Sequence, residues 1–167
     1  GGRVETSGKE SLAVGVAANT SAPKGKAGQW LIDPANLTIV DTIPQNGFVL
    51  GSSSQEPPVF STDDINPTFS PTESFLLAST VVDGLENNGS VEIYTTGNRP
   101  GTGNLTVSAP VLVDEAFYET GGLNPKLFLE AKGDLNINAA VGLAPGQDVF
   151  GGFDLVLSVF IINWDED

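Results

Sequence analysis

Two nine-residue segments, GNLTVSAPV (103–111) and GDLNINAAV (133–141), begin 30 residues apart and share one template. Glycine is followed by Asn or Asp, then by Leu-x-aliphatic-x-Ala-x-Val. Every second residue is apolar: Leu105, Val107, Ala109 and Val111 in one, Leu135, Ile137, Ala139 and Val141 in the other. That period belongs to a strand with one buried face. Weaker copies are GSVEIYTTG (89–97), with Val91 and Ile93 inward, and PKLFLEAKG (125–133), with Leu127 and Leu129 inward. GGRVETSG and ESLAVGV near the start read the same way. Strands this short cannot each hold a core, so each needs another lying against it, as in a repetitive β architecture. Hairpin signals are scarce, since no Asn-Gly or Asp-Gly joins two equal alternating strands at a two-residue spacing. The pattern predicts an all-β solenoid, and small inward residues such as Ala109, Ala131 and Ala139 suit its narrow core.

The stretch GQWLIDPANLTIV (28–40) supports this reading. Trp30 and Ile32 alternate on one side of a strand, which stops at Asp33-Pro34 and resumes with Leu37 and Ile39. Proline donates no ladder hydrogen bond, so one continuous strand is excluded and a corner between two sides of a coil is expected. In that frame Trp30 points into the core rather than outward to stack on a sugar.

Helix signals are nearly confined to Thr72–Glu86, TESFLLASTVVDGLE, which follows Pro71. Two readings stay open. Thr72 caps a helix, or the β-branched STVV forms a strand with one helical turn at VDGLE. Residues 45–71 hold Ser, Pro, Asp and Asn with scattered Phe48, Phe60 and Phe69 and no sustained period. They read as one long loop excursion from a single unit spanning 1–167, with at most one short helix elsewhere.

Seven basic against 21 acidic side chains give a formal charge of −14. Nucleic acid and anionic membrane surfaces would repel such a chain, so neither is expected as a partner. No apolar run reaches the roughly 18–20 residues of a membrane helix, so membrane insertion is not expected either. With no cysteine, neither a disulfide nor a thiolate site can form. Methionine is absent too, which implies an internal or processed piece of a longer product.

Histidine is also lacking, which removes His-based triads and imidazole metal sites. Asp63-Asp64 and Asp114-Glu115 are the candidate acid/base pairs, but adjacent strand residues face opposite ways, so solvated carboxylates and no enzyme activity are expected. Calcium is the ion best suited to STDDINP (61–67) and VDGLENNGS (82–90), yet neither follows an Asp-x-Asp-x-Asp-Gly loop. Turn chemistry explains both stretches, and no cofactor is expected. Glycosylation triplets begin at Asn19, Asn36, Asn88 and Asn104, as they often do by chance in Asn-rich turns. Phe117-Tyr118 in a loop suit either core packing or a surface contact.

Residues 1–8, GGRVETSG, followed by WLIDPANLTI at 30–39, resemble two boxes of the filamentous-haemagglutinin-like exoproteins of bacterial two-partner secretion. The residues that carry the resemblance are Gly2, Val4, Glu5, Thr6, Trp30, Leu31, Asp33 and Pro34. It covers the first quarter of the chain. It implies a right-handed parallel β-helix, secretion to the cell surface or beyond, and an adhesin or fibre with no catalytic residues. The alternative is a stretch of adhesin shaft whose 45–71 excursion contacts a surface glycan or protein receptor.

The terminal stretch, FDLVLSVFIINWDED (153–167), departs from a repeating coil. Leu155, Leu157, Val159 and Ile161 face one way, and Val156, Phe160, Ile162 and Trp164 the other. The earlier strands are expected to keep one polar face, whereas a strand apolar on both sides needs cover on both. An exposed strand edge recruits other chains. The expectation is therefore a structural protein that associates end to end into filaments, with about residues 153–164 completing a neighbour's sheet.

Overall fold

The computed structural model describes residues 2–8, 11–22, 24–26, 28–44, 73–88, 90–96, 102–114, 126–145 and 153–159. Every strand pairing among them is parallel. Sheet A holds β1 (Arg3–Ser7), β3 (Gln29–Asp33), β6 (Ser90–Thr95), β9 (Lys126–Ala131) and β12 (Asp154–Val159), side by side in chain order. Sheet B holds β2 (Ala13–Val14), β5 (Phe75–Leu77), β4 (Leu37–Val40), β7 (Leu105–Val107) and β10 (Leu135–Ile137), in that spatial order. Sheet C pairs β8 (Val111–Val113) with β11 (Val141–Leu143), and one helix, α1, spans Ala78–Asn88. From β6 onward the chain passes from A to B to C and returns to A one strand further on, a β-solenoid-like arrangement.

The 30-residue offset of the template is one turn of this coil. Leu105 lies beside Leu135, Val107 beside Ile137 and Val111 beside Val141. Within the core, residues stack in rows. Trp30, Val91, Leu127 and Leu155 form one row of sheet A, and Ile32, Ile93, Leu129 and Leu157 the next. In sheet B, Val14, Leu76, Ile39, Val107 and Ile137 form a third. Members of these rows with a strand on either side are buried, and each large aliphatic side chain so covered contributes roughly 1.5–3 kcal/mol. The stabilisation is therefore a sum of contacts between adjacent turns.

The corners follow from short polar residues and glycine. Between β3 and β4 the chain turns through Pro34 and Ala35, both buried, as the proline predicts. The Asn36 Oδ1 then accepts from the Asn104 backbone N–H (3.0 Å) and the Thr102 hydroxyl (3.3 Å). One turn on, the Asn104 Oδ1 accepts from the Asp134 N–H (2.9 Å). This is why Asn precedes the first Leu of β4 and of β7, as Asp does in β10: the Asn36 and Asn104 side chains each satisfy a corner amide of the next turn. Two of the glycosylation triplets, at Asn36 and Asn104, thus begin with asparagines that hold corners. Gly103 adopts φ 79°, a conformation that disfavours a side chain. At Gly133 a Cβ would run into the Asn104 side chain and the Thr102 carbonyl.

The segment after the excursion resolves the two open readings differently from either. Strand β5 occupies Phe75–Leu77, and STVV, with DGLENN after it, is helical. The helix begins at Ala78, and Thr72 lies outside the described residues. Packing decides the matter, because Ala78, Val81 and Leu85 bury one stripe against the coil and outweigh weak β-branched propensity. The turn reading of VDGLENNGS is corrected accordingly. The helix packs on β8, β6, β5 and β3, standing in as the third side of the β3–β4 turn. A further correction concerns polar faces: β5 and β8 also place apolar residues, Phe75, Leu77 and Leu112, on their second face, where they are half-buried.

Gly84 sets the backbone of α1 close against sheet A. A Cβ there would lie 2.9 Å from Val91 Cγ2 and 3.1 Å from Trp30 Cε3. Gly84→Ala gains about 1 kcal/mol of helix propensity but overpacks two core side chains, at a typical cost of about 1–3 kcal/mol. Thermal unfolding should show a net loss on the order of 1 kcal/mol.

Candidate functional site

The two boxes that open the chain are a single structural unit. Val4 pairs with Trp30, Glu5 with Leu31 and Thr6 with Ile32. The Trp30 Nε1 donates to the Thr6 hydroxyl at 2.9 Å, and the Gln29 N–H to the Gly2 carbonyl at 2.9 Å. Trp30 is 1% exposed and lies in the core, as its alternation with Ile32 predicts. Asp33 and Pro34 end the strand at the corner. These residues build the first two strands of sheet A.

Most large apolar side chains that lack cover belong to the edge strands of the described residues, Tyr94 on the outer face of β6 excepted. Among them, β12 pairs with β9 alone and β10 with β7 alone at one end, while β1 pairs with β3 alone and β2 with β5 alone at the other. The sequence places Leu155, Leu157 and Val159 on one face of β12, and the structure aligns them with the inward Leu127, Leu129 and Ala131. Their buried counterparts have a strand on each side; they have one. Leu155, Val156, Leu157 and Val159 consequently remain 37–49% exposed. Phe160, Ile161, Ile162 and Trp164, the rest of the predicted surface, lie outside the described residues.

Sequence reasoning missed that the same end of sheet B is open. Leu135, Ala139 and Val141, expected to be inward and buried, are only half-buried, and Ile137 is 41% exposed. They occupy the last described turn, and alternation reports which face a residue takes but not whether another turn follows. At the opposite end Val4 is 38% exposed.

Charged residues line the outer face of sheet A. Lys126 Nζ lies 3.5 Å from Asp154 Oδ2 and 5.9 Å from the centre of the Phe128 ring. Arg3 lies 3.8 Å from Glu92, with its side chain largely in solvent. A shallow groove of about 450 Å³ runs across this face, lined by Arg3, Glu92, Tyr94, Phe128 and Glu130 among others. It is aromatic and acidic, with one guanidinium.

Of the predicted acid/base pairs, Asp114 is exposed, and Glu115, Asp63 and Asp64 lie outside the described residues, as do STDDINP and Phe117-Tyr118. Among the described residues no three carboxylates converge on a metal position, and no helix is long and apolar enough to cross a membrane. The Glu86 carboxyl is pushed above the ordinary glutamate range by burial, with Asp83 and Asp114 adding repulsion and the Asp114 N–H partly offsetting it. Because the folded-state value is raised, ionised Glu86 costs stability once the pH exceeds the ordinary carboxylate range. Glu86→Gln should therefore raise the melting temperature at neutral pH, and the gain should vanish in acid, where the native residue is already protonated.

The chain matches no protein-family model, and no curated protein matches it.

Proposed function

We propose that this is a structural protein of the bacterial surface or extracellular matrix, a right-handed parallel β-helix of the filamentous-haemagglutinin-like kind, whose copies join end to end by strand addition. The observation that carries this reading is the row Leu155, Leu157 and Val159. It is in register with the core, apolar, and set on a strand whose second edge has no partner among the described residues. Such an edge offers backbone donors and acceptors together with a greasy inner row, the two ingredients of β-augmentation. We assign the chain no catalytic role and no cofactor, and place it outside the cell. Electron microscopy and sedimentation of the purified chain test the reading: fibres support it, and a lone rod at every concentration refutes it.

The groove on sheet A favours a second reading, a glycan-binding stretch of adhesin shaft. Exposed Tyr94 beside Phe128, flanked by Glu92 and Glu130, offers an aromatic platform with hydrogen-bond acceptors. The 45–71 excursion, the sequence's own candidate for a receptor contact, lies outside the described residues. Binding to a glycan array that is lost in Tyr94→Ala would favour this role.

A further inference from the structure

Building on the self-association reading, we infer that the end at β10 and β12, open among the described residues, is covered by β1 and β2 of a second copy, head to tail, in the register the coil already uses. Three independent features define this joint.

The first is the strand count. Strands β4, β7 and β10 follow β3, β6 and β9 on the same turns, yet β5 is inserted between β4 and β2. Sheet B is thereby shifted by one strand relative to sheet A, while each sheet holds five strands among the described residues. Raising a second copy by five strand spacings sets its β1 beside β12 and its β2 beside β10 in sheets A and B, while β11 of sheet C gains no strand among the described residues. Without β5, sheet B would hold four strands and the same movement would leave a hole. At about 4.8 Å per strand the axial rise is about 24 Å. The contact is heterologous and leaves a free end each time, so it propagates.

The second is the apolar register. Continuing the rows across the joint places Leu155 on Val4 and Leu157 on Thr6 of the second copy. In sheet B it places Ile137 on Val14, with Leu135 meeting half-buried Leu12 just before β2. The Leu155 and Ile137 rows therefore meet an apolar residue, and the Leu157 row meets Thr6, the residue that begins it.

The third is charge. The same register sets Asp154 beside Arg3 of the second copy, extending the Lys126–Asp154 pair with another cation. The bias holds more widely in the sequence. Residues 1–28 carry four of the seven basic residues against two acidic ones, a net of +2 in a chain of −14. Residues 153–167 carry four acidic residues and no basic one. Like ends repel and unlike ends attract, which favours head-to-tail over head-to-head contact.

Cysteine trapping in this Cys-free chain tests the joint. Ser7 and Ser158, both exposed, fall on one row, and the joint brings them opposite each other on adjacent strands. That spacing suits a disulfide, whereas within one copy the two lie at opposite ends of the sheet. Full-length Ser7→Cys and Ser158→Cys variants, mixed and oxidised, should give a covalent dimer, while either alone should not. The double variant should give a covalent ladder. Fibres in which Ser7→Cys links instead to Val156→Cys, or in which Ser158→Cys links to itself, overturn this register but leave self-association standing. A chain that neither links nor sediments as an assembly overturns both. Coverage of the end by the chain's own residues 160–167 would give that monomeric result.

Discussion

If copies join as proposed, aspartate at both Leu155 and Leu157 is expected to leave soluble monomers whose fold is kept beyond the edge strand β12. The single copy already buries more than half of Leu155 and about half of Leu157 against β9, so the pair also costs the folded chain roughly 2–3 kcal/mol, confined to the edge strand β12. In the assembly the same positions lie between strands. Two carboxylates there forfeit the residual burial and must shed water without a partner, together a loss of about 4 kcal/mol or more. That corresponds to roughly a thousandfold rise in the concentration needed to assemble. Sedimentation and electron microscopy should show monomers, and circular dichroism a native spectrum. Fibres persisting at the original concentration would remove β12 from the interface. Deleting 153–167 should also abolish fibres, but it uncovers Leu127 and Leu129 as a fresh edge, so the paired substitution is the cleaner test.

The second large effect concerns Trp30. Its indole is buried beside Val91 and under Gly84 of α1, and its N–H is held by Thr6, so one side chain ties β1, β6 and the helix together. Truncation to alanine should cost about 3–5 kcal/mol from lost transfer energy and the cavity left behind. Against a total of about 5–15 kcal/mol for a typical domain, that is a large share. Because contacts in a stack run between neighbouring turns, the loss should be local first. Hydrogen exchange should show β1, β3 and α1 opening while β7–β11 stay protected. Trp30→Phe keeps most of the packing and loses the Thr6 hydrogen bond, so it should cost about 1 kcal/mol. Uniform loss of protection along the whole chain would show that the turns unfold as one unit.

These expectations rest on features of unequal legibility. Trp30, Ile32, Leu37, Ile39 and the Leu105–Val111 series were placed correctly from alternation alone, because a residue's face depends on its own strand. The corner at Pro34 was equally plain, since a missing N–H is a local fact. The helix was half legible. The apolar stripe of Ala78, Val81 and Leu85 is present in the sequence, but so is a strand-like STVV, and only the open third side of the coil selects between them.

The residues themselves determined the parallel coil's alternating faces, its corner chemistry and the 30-residue offset that sets β10 beside β7, all short-range consequences of backbone geometry and hydrogen-bond need. Tertiary structure alone decided that β5 slips between β2 and β4, that α1 replaces a strand, and that sheet B thereby matches sheet A in number. Parallel neighbours are joined by no tight turn that could announce their pairing, and apolar strands of similar pattern can each satisfy the same row. Which strand lies beside which is settled by the space left after every other turn has packed.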